Sequence, residues 1–274
     1  MRLMLWLILA LLVAAPTRAQ QPATAPATAA AAPAPTSSKI WIGRYQEFEE
    51  FLRTAQFVRF GSTPVGVLAP RHGYFAPGGL AAGASVKSVP PGRRDGFWES
   101  YKSEIASYKL DRLLQMDMVP PTIERTVERR PSAVQLWVES ARMLRDVQAA
   151  QERFPPTEAW NRQIYRQRVF DDLTANIDDN AGNLLIDPVW NLIKIDHSRA
   201  FTGLMTMPFE KQRTRIDRPF FERLKALDRD TLRRELGAFV EGGAIDALLS
   251  RRDTIVKEFE KLAASQGEAR VFLP

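Results

Sequence analysis

The stretch FDDLTANIDDNAGNLLIDPVWNLIKIDHSRAF, residues 170–201, decides how this chain is read. Its first half is crowded with acidic and amide side chains. Two short apolar runs follow, NLLID and LIKID, joined by PVWN, and this pattern predicts a β-hairpin. The second run ends on Asp196, and the chain's second and last histidine, His197, comes next. A hairpin brings its two ends side by side. Asn183, just before the first strand, and Asp196, just after the second, are therefore placed to share one cation. One amide oxygen and one carboxylate, completed by phosphate oxygens and water, suit Mg²⁺ or Mn²⁺.

Upstream, PPTEAWNRQIYRQRVFDDLTANI reads as a helix with Trp160, Ile164 and Phe170 or Leu173 turned inward. A second helix is expected in DGFWESYKSEIASYKLDRLLQMDMVPP, with Asp95 as its N-cap and Pro120-Pro121 beyond its end. Trp98, Tyr101, Ile105 and Tyr108 would form its apolar stripe, and Glu104 falls on that stripe. A carboxylate is costly to bury without a cation or donors. Lys87, in the strand-like GASVKSV, precedes it by 17 positions and can neutralise it. A strand lysine held by a helix glutamate positions nucleotide phosphates in protein kinases. The spacing from Asp178 to Asn183, D-x-x-x-x-N, is also that of the kinase catalytic loop.

RVFDDLTANIDDNAGNLLIDPVWNLIKIDHSRAF resembles the catalytic segment of atypical kinases: the HipA-type kinases, the phosphatidylinositol 3- and 4-kinase-like enzymes, and the secretory-pathway kinases of casein-like proteins. Their pattern, roughly N-x-D-R-H-x-x-N, a hairpin, then I-D-x-x-x-A-F, is met by Asn176, Asp178, Asn183, Ile195, Asp196, Ala200 and Phe201. ESYKSEIASYKLDRLLQMDMVPPTIER is similar to those families' helix and following strand, and AVQLWV to the strand entering the hinge. The likeness runs from about Gly61 to Arg252. It implies an α+β, bilobal protein-kinase-like fold, with a small β-rich N-lobe and a helical C-lobe carrying an embedded catalytic hairpin. It also implies roles: Asp178 as catalytic base, Asn183 and Asp196 as metal ligands, Lys87 on the phosphates with Glu104 behind it, and Gln135 and Trp137 lining the adenine pocket. The phosphate-covering loop is read either at VGVLAPRHG, with Gly66 and Arg71, or at APGGLAAG. ATP with Mg²⁺ or Mn²⁺ is the implied cofactor set. The chain departs from the pattern after the base, where Asp179-Asn180 replaces Arg-His. That removes a cation beside the transferred phosphate and adds a negative charge, in a reaction that depends on charge stabilisation.

The rest of the 274 residues narrows the alternatives. There is no cysteine, which excludes disulfides, thiol chemistry, cysteine zinc sites and a lipid-modified cysteine anchor; two histidines exclude a histidine-rich metal site. No G-x-S-x-G elbow and no G-x-G-x-x-G joint is present. MRLMLWLILALLVAAPTRA, residues 1–19, reads as a secretory signal cut after Ala19. Its apolar run is short for a membrane span, with an uncleaved anchor as the alternative. Removing it takes two arginines and leaves a net charge of +4, too mild and too scattered for nucleic-acid binding. QQPATAPATAAAAPAPTSS, residues 20–38, is an uncharged Ala/Pro tether.

The domain boundaries read from these features are signal peptide 1–19, linker 20–38, N-lobe 39–138 and C-lobe 139–274. Asp171, Asp172, Asp179 and Asp187 are expected to be solvated or structural, and His197 to pack or hydrogen-bond. The expected function is that of an exported (periplasmic or secreted) kinase, moving the γ-phosphate of ATP to a hydroxyl on a protein, lipid or small molecule. The alternative is an exported pseudokinase that binds or scaffolds without turnover. Transfer of AMP in place of phosphate stays open.

Overall fold

In a computed structural model of the chain, residues 35–62, 70–178 and 180–274 are described, so Gly66 and Asp179 lie outside the described residues. Helix α1 (Tyr45–Thr54) leads into strands β1 (Phe57–Ser62), β2 (Arg71–Phe75) and β3 (Gly83–Lys87). A small hairpin, β4 (Gly92–Arg94) and β5 (Phe97–Glu99), precedes helix α2 (Tyr101–Leu114). Strands β6 (Thr122–Val127) and β7 (Arg130–Leu136) complete a five-stranded sheet in the order β1-β2-β3-β7-β6. Every pairing in it is antiparallel.

Alternation along these strands makes the sheet a partition. One face carries Phe75, Ala84, Val86, Ile123, Val134 and Leu136, which pack with Phe48 and Leu52 of α1 and with the fully buried Trp41. In the register His72↔Ser85↔Gln135 and Lys87↔Ala133, the opposite face holds polar and aromatic side chains. Tyr101 and Ile105 of α2 cover its far end against Ala133.

The start of α2 differs from the sequence expectation. Ser100, not Asp95, caps the helix, accepting a hydrogen bond from the Lys102 amide at 3.1 Å. Asp95 and Gly96 instead form the turn of the β4–β5 hairpin, with φ of 48° and 85°. Two successive positive φ values are the signature of the tight Asp-Gly hairpin turn. Trp98 therefore sits on β5, while Tyr101, Glu104, Ile105 and Tyr108 are on the helix as expected.

The second half is mostly helical. Strand β8 (Arg142–Met143) and helix α3 (Leu144–Ala149) lead to helix α4 (Glu158–Thr174), capped by Thr157. The expected hairpin is β9 (Leu184–Ile186) and β10 (Leu192–Lys194), with β8 added on its outer edge. Strand β11 (Ile216–Asp217) precedes α5 (Arg218–Ala226), α6 (Arg229–Leu236) and α7 (Gly242–Gln266), and a short α8 (Glu268–Val271) and β12 (Phe272–Leu273) close the chain. A separate apolar core joins α4, α5, α6 and α7 to the C-terminal half of α2. Residues 35–274 form one compact unit with a β-sheet lobe and a helical lobe. The segment before α1 spans both lobes. Trp41 is in the sheet lobe's core, while Ser37 Oγ and the Ser38 amide each bond Asp187 Oδ2, in the hairpin turn, at 3.0 Å. Among the described residues, no helix is long and apolar enough to cross a membrane.

Candidate active site

Lys87 ends β3 on the polar face of the sheet, opposite the first turns of α2. Its Nζ donates to Glu104 Oε1 at 2.6 Å and to Asp196 Oδ1 at 2.8 Å. Lys87 is 8% exposed and Glu104 1%. The other Glu104 oxygen accepts the backbone N–H of His197 at 3.0 Å. One helix carboxylate therefore ties the strand lysine to the loop after the hairpin. Burial opposes the charge on Lys87, but Asp196 and then Glu104 overcome it and hold the ammonium above its usual range. Burial would likewise push Glu104 up, and Lys87 reverses this, so the carboxyl is lowered to about 2. The pair is ionised at neutral pH, with each charge neutralised by its partner. His197 is fully buried, its ring edge-on to Phe170 and its Nδ1 3.7 Å from Glu104 Oε2, as its packing role required.

The hairpin places the remaining groups. Beyond the Lys194↔Leu184 pair, the Ile195 amide bonds the Asn183 carbonyl at 3.0 Å, so Asn183 and Asp196 flank one end of the ladder. Asp196 has φ 61°, a left-handed backbone seldom taken by a residue with a side chain, and such values cluster at functional sites. Asn183 Nδ2 donates to the Asp178 carbonyl at 2.8 Å. Asn183 Oδ1 and Asp196 Oδ2 then receive no donor from the described residues. Both residues line one cleft, and oxygens of this kind fit a hard divalent cation that completes its shell with phosphate and water. Among the described residues no cluster of three or more acidic or histidine side chains offers an all-protein metal cage.

The Asp178 end is braced from below. Asp171, fully buried at the end of α4, accepts Asn176 Nδ2 at 3.0 Å and Lys194 Nζ at 2.8 Å. Asn176 in turn accepts the Asp178 amide at 3.4 Å. Ala175, with φ 49°, ends the helix in the left-handed conformation that turns the chain toward Asp178. Asp172 pairs with Arg213 and accepts the Phe209 amide. Asp187 organises the hairpin turn by accepting the Val189 and Asn191 amides. These three acids are structural, as expected.

Lys87, Gln135, Trp137, Asp178, Asn183 and Asp196 line one cleft of about 560 Å³, with Glu104 behind Lys87. Gln135 is less free than the sequence suggested, since its Nε2 donates to Thr122 Oγ1 at 3.0 Å. Trp137 stacks on His72 (3.8 Å between ring centroids), His72 on Tyr74 (4.0 Å), and the Arg59 guanidinium lies 3.3 Å over Tyr74. Gly83 is bare beneath this column, where a Cβ would come within 2.7 Å of the Gly73 carbonyl. Burial, with Arg59 adding to it, holds the His72 pKa below its usual value.

Two features were not legible in advance. The aromatic column needs the β2–β3–β7 register to be seen. Arg199, which also lines the cleft, falls at one of the unspecified positions between Asp196 and Ala200 in the motif.

No model of a known family matches the sequence, and no curated protein matches it. Solved structures do match. A Golgi casein kinase with Mn and ADP bound superposes with a TM-score of 0.62 at 13% identity, over 85% of this chain and 79% of that one. A hydra Fam20 structure with sugar gives 0.63 at 13%, over 84% and 92%. The Helicobacter pylori proinflammatory kinase CtkA gives 0.51 at 8%, over 78% and 98%. With the charge-paired strand lysine, Asp178, Asn183 and Asp196 in one cleft, these likenesses give the chain the bilobal fold of the atypical kinases.

Proposed function

We propose that this chain is an exported atypical kinase-like phosphotransferase, which moves the γ-phosphoryl group of ATP to a hydroxyl on a protein, lipid or small molecule. The observation that carries this reading is Lys87, bonded to both Glu104 and Asp196 in the cleft that also holds Asp178 and Asn183. Mn and ADP in the Golgi casein kinase support a nucleotide and a divalent cation here as well. Asn183 and Asp196 would hold Mg²⁺ or Mn²⁺, which supplies positive charge to the phosphates. Asp178 accepts the acceptor's hydroxyl proton as the acceptor oxygen bonds to the γ-phosphorus. The bond from that phosphorus to the bridging oxygen breaks, and its electron pair leaves with ADP. Lys87, fixed by Glu104, neutralises the phosphate oxygens.

The second reading, an exported pseudokinase, is favoured by Asp179-Asn180 in place of a cationic pair. The discriminating experiment measures ADP formation and phosphate incorporation by the full chain and by Asp178→Asn. A positioned base is worth ~10²–10⁴-fold, so the enzyme reading expects a loss of at least ~100-fold. Equal inertness of both proteins, with nucleotide still bound, would instead support the scaffold. Export rests on residues 1–19 and is checked by mass spectrometry of the mature protein, whose N-terminus should be Gln20.

A further inference from the structure

The cleft holds a cation whose role the motif does not supply. Arg199 Nε donates to Glu99 Oε1 at 2.9 Å, and Nη2 lies 2.9 Å from the same oxygen. Its guanidinium carbon sits 4.5 Å from the centre of the Phe97 ring. The third nitrogen, Nη1, points to Asp178 and lies 3.7 Å from Oδ2, beyond hydrogen-bond distance. Arginine carries five N–H donors in a rigid fork. Here the fork is gripped from behind, and Nη1 makes no hydrogen bond to the described residues.

The grip is built at some cost. Glu99 is 1% exposed, its Oε2 has no donor among the described residues, and Arg199 is the cation it faces. A buried carboxylate left half-satisfied is unfavourable. The β4–β5 hairpin supplies both Glu99 and Phe97. The backbone on either side of Arg199 is also clamped to the start of α2: the Ser198 carbonyl accepts the Ser100 amide at 2.9 Å, and the Ala200 carbonyl accepts Ser103 Oγ at 3.1 Å. Glu104, which orders Lys87, is on the same helix. Arg199 and Lys87 are thus referenced to one rigid element.

We propose that Arg199 is a catalytic residue that binds the transferred phosphoryl group. It would supply, from the segment after Asp196, the positive charge that Asp179-Asn180 does not supply after Asp178. When a triphosphate enters, the Nη1 donors turn from a long contact with Asp178 to an equatorial oxygen of the γ-phosphoryl group. Asp178 is then left to the acceptor's proton. Such a planar fork suits phosphate oxygens better than a point charge does. This assignment rests on the phosphotransferase reading above.

The test separates the two. Calorimetric titration of the full chain in Mg²⁺ compares ADP with adenylyl imidodiphosphate, for wild type, R199K, R199M and the double variant E99Q/R199M. The double variant removes the buried unpaired carboxylate, so a folded protein remains if R199M alone does not fold. Loss of a charge-assisted hydrogen bond predicts that R199M and the double variant bind the triphosphate analogue roughly 10- to 100-fold more weakly, with ADP affinity within about two-fold of wild type. R199K should fall between. Equal losses for both nucleotides, or no loss for either, would overturn the assignment and reduce Arg199 to a partner of Glu99. If wild type binds neither nucleotide, the phosphotransferase reading itself fails, and this assignment with it.

Discussion

Two buried charge networks lie on either side of the hairpin, and they are built alike but finished differently. In the helical lobe, Asp171 meets Lys194, Gln167 and Asn176, and Asp171 and Lys194 are both sealed from solvent. In the cleft, Lys87 meets Glu104 and Asp196, but the Asp196 side chain is 27% exposed and one of its oxygens receives no donor. The first network spends its donors and acceptors on holding the loop that carries Asp178 to the hairpin. The second keeps acceptors open toward the cleft. Burial of charge alone does not mark the site: the two networks differ in that one closes on itself and the other leaves an Asp196 oxygen open in the cleft.

The largest way to break this contrast is Asp171→Ala. It strands Lys194 as an uncompensated buried charge and should cost about 3–5 kcal/mol in urea unfolding. Asp196→Ala should cost clearly less, because its side chain is partly exposed and Lys87 keeps Glu104. If the two cost the same, the distinction between scaffold and site is wrong.

Next in size is the acid sensitivity of the Lys87–Glu104 pair. Glu104 is lowered to about 2 in the fold, against about 4.3 when unfolded. Its contribution is therefore present above about pH 4.3 and is lost as pH falls toward 2. Stability measured between pH 5 and 3 should fall less steeply in Glu104→Gln than in wild type. A parallel slope would mean that other carboxyls dominate.

A smaller effect is expected in the aromatic column. The fold depresses the His72 pKa, so its contribution is present above the unfolded value of about 6.5 and is lost as pH falls below that. His72→Phe keeps the stack between Tyr74 and Trp137 and should flatten this part of the pH profile. The smallest change is expected for Ser37→Ala. It removes the bond from Ser37 Oγ to Asp187 and the two that Ser37 Oγ accepts, from Asn191 Nδ2 and the Lys39 amide; all three are made by an exposed hydroxyl, so the loss should be only about 1 kcal/mol in the same unfolding assay.

Much of the fold was legible because its signals are local or are forced by chemistry. A glutamate on the apolar stripe of α2 required a cation, and Lys87 was the strand residue able to reach it. The hairpin pattern alone places Asn183 near Asp196, as the Ile195–Asn183 backbone bond shows. The β4–β5 hairpin was missed because its strands are three residues long and its Asp-Gly turn resembles a helix cap followed by an aromatic run. Trp41 and Ser37 take their roles from packing across lobes, which no periodicity records. Arg199 depends on Glu99, a hundred positions away, and on a turn after Asp196 that only the folded backbone defines.

The most direct measurement is thermal unfolding of the full chain with millimolar ATP and Mg²⁺, Mn²⁺ or chelator, beside Asp196→Ala. Ligand at about 100 times its dissociation constant adds ~2.7 kcal/mol to the native state, a shift of a few degrees for a chain of this size. The account predicts a shift that requires the cation and disappears in Asp196→Ala. A shift indifferent to the cation or to Asp196→Ala, or no shift with any of them, would contradict it.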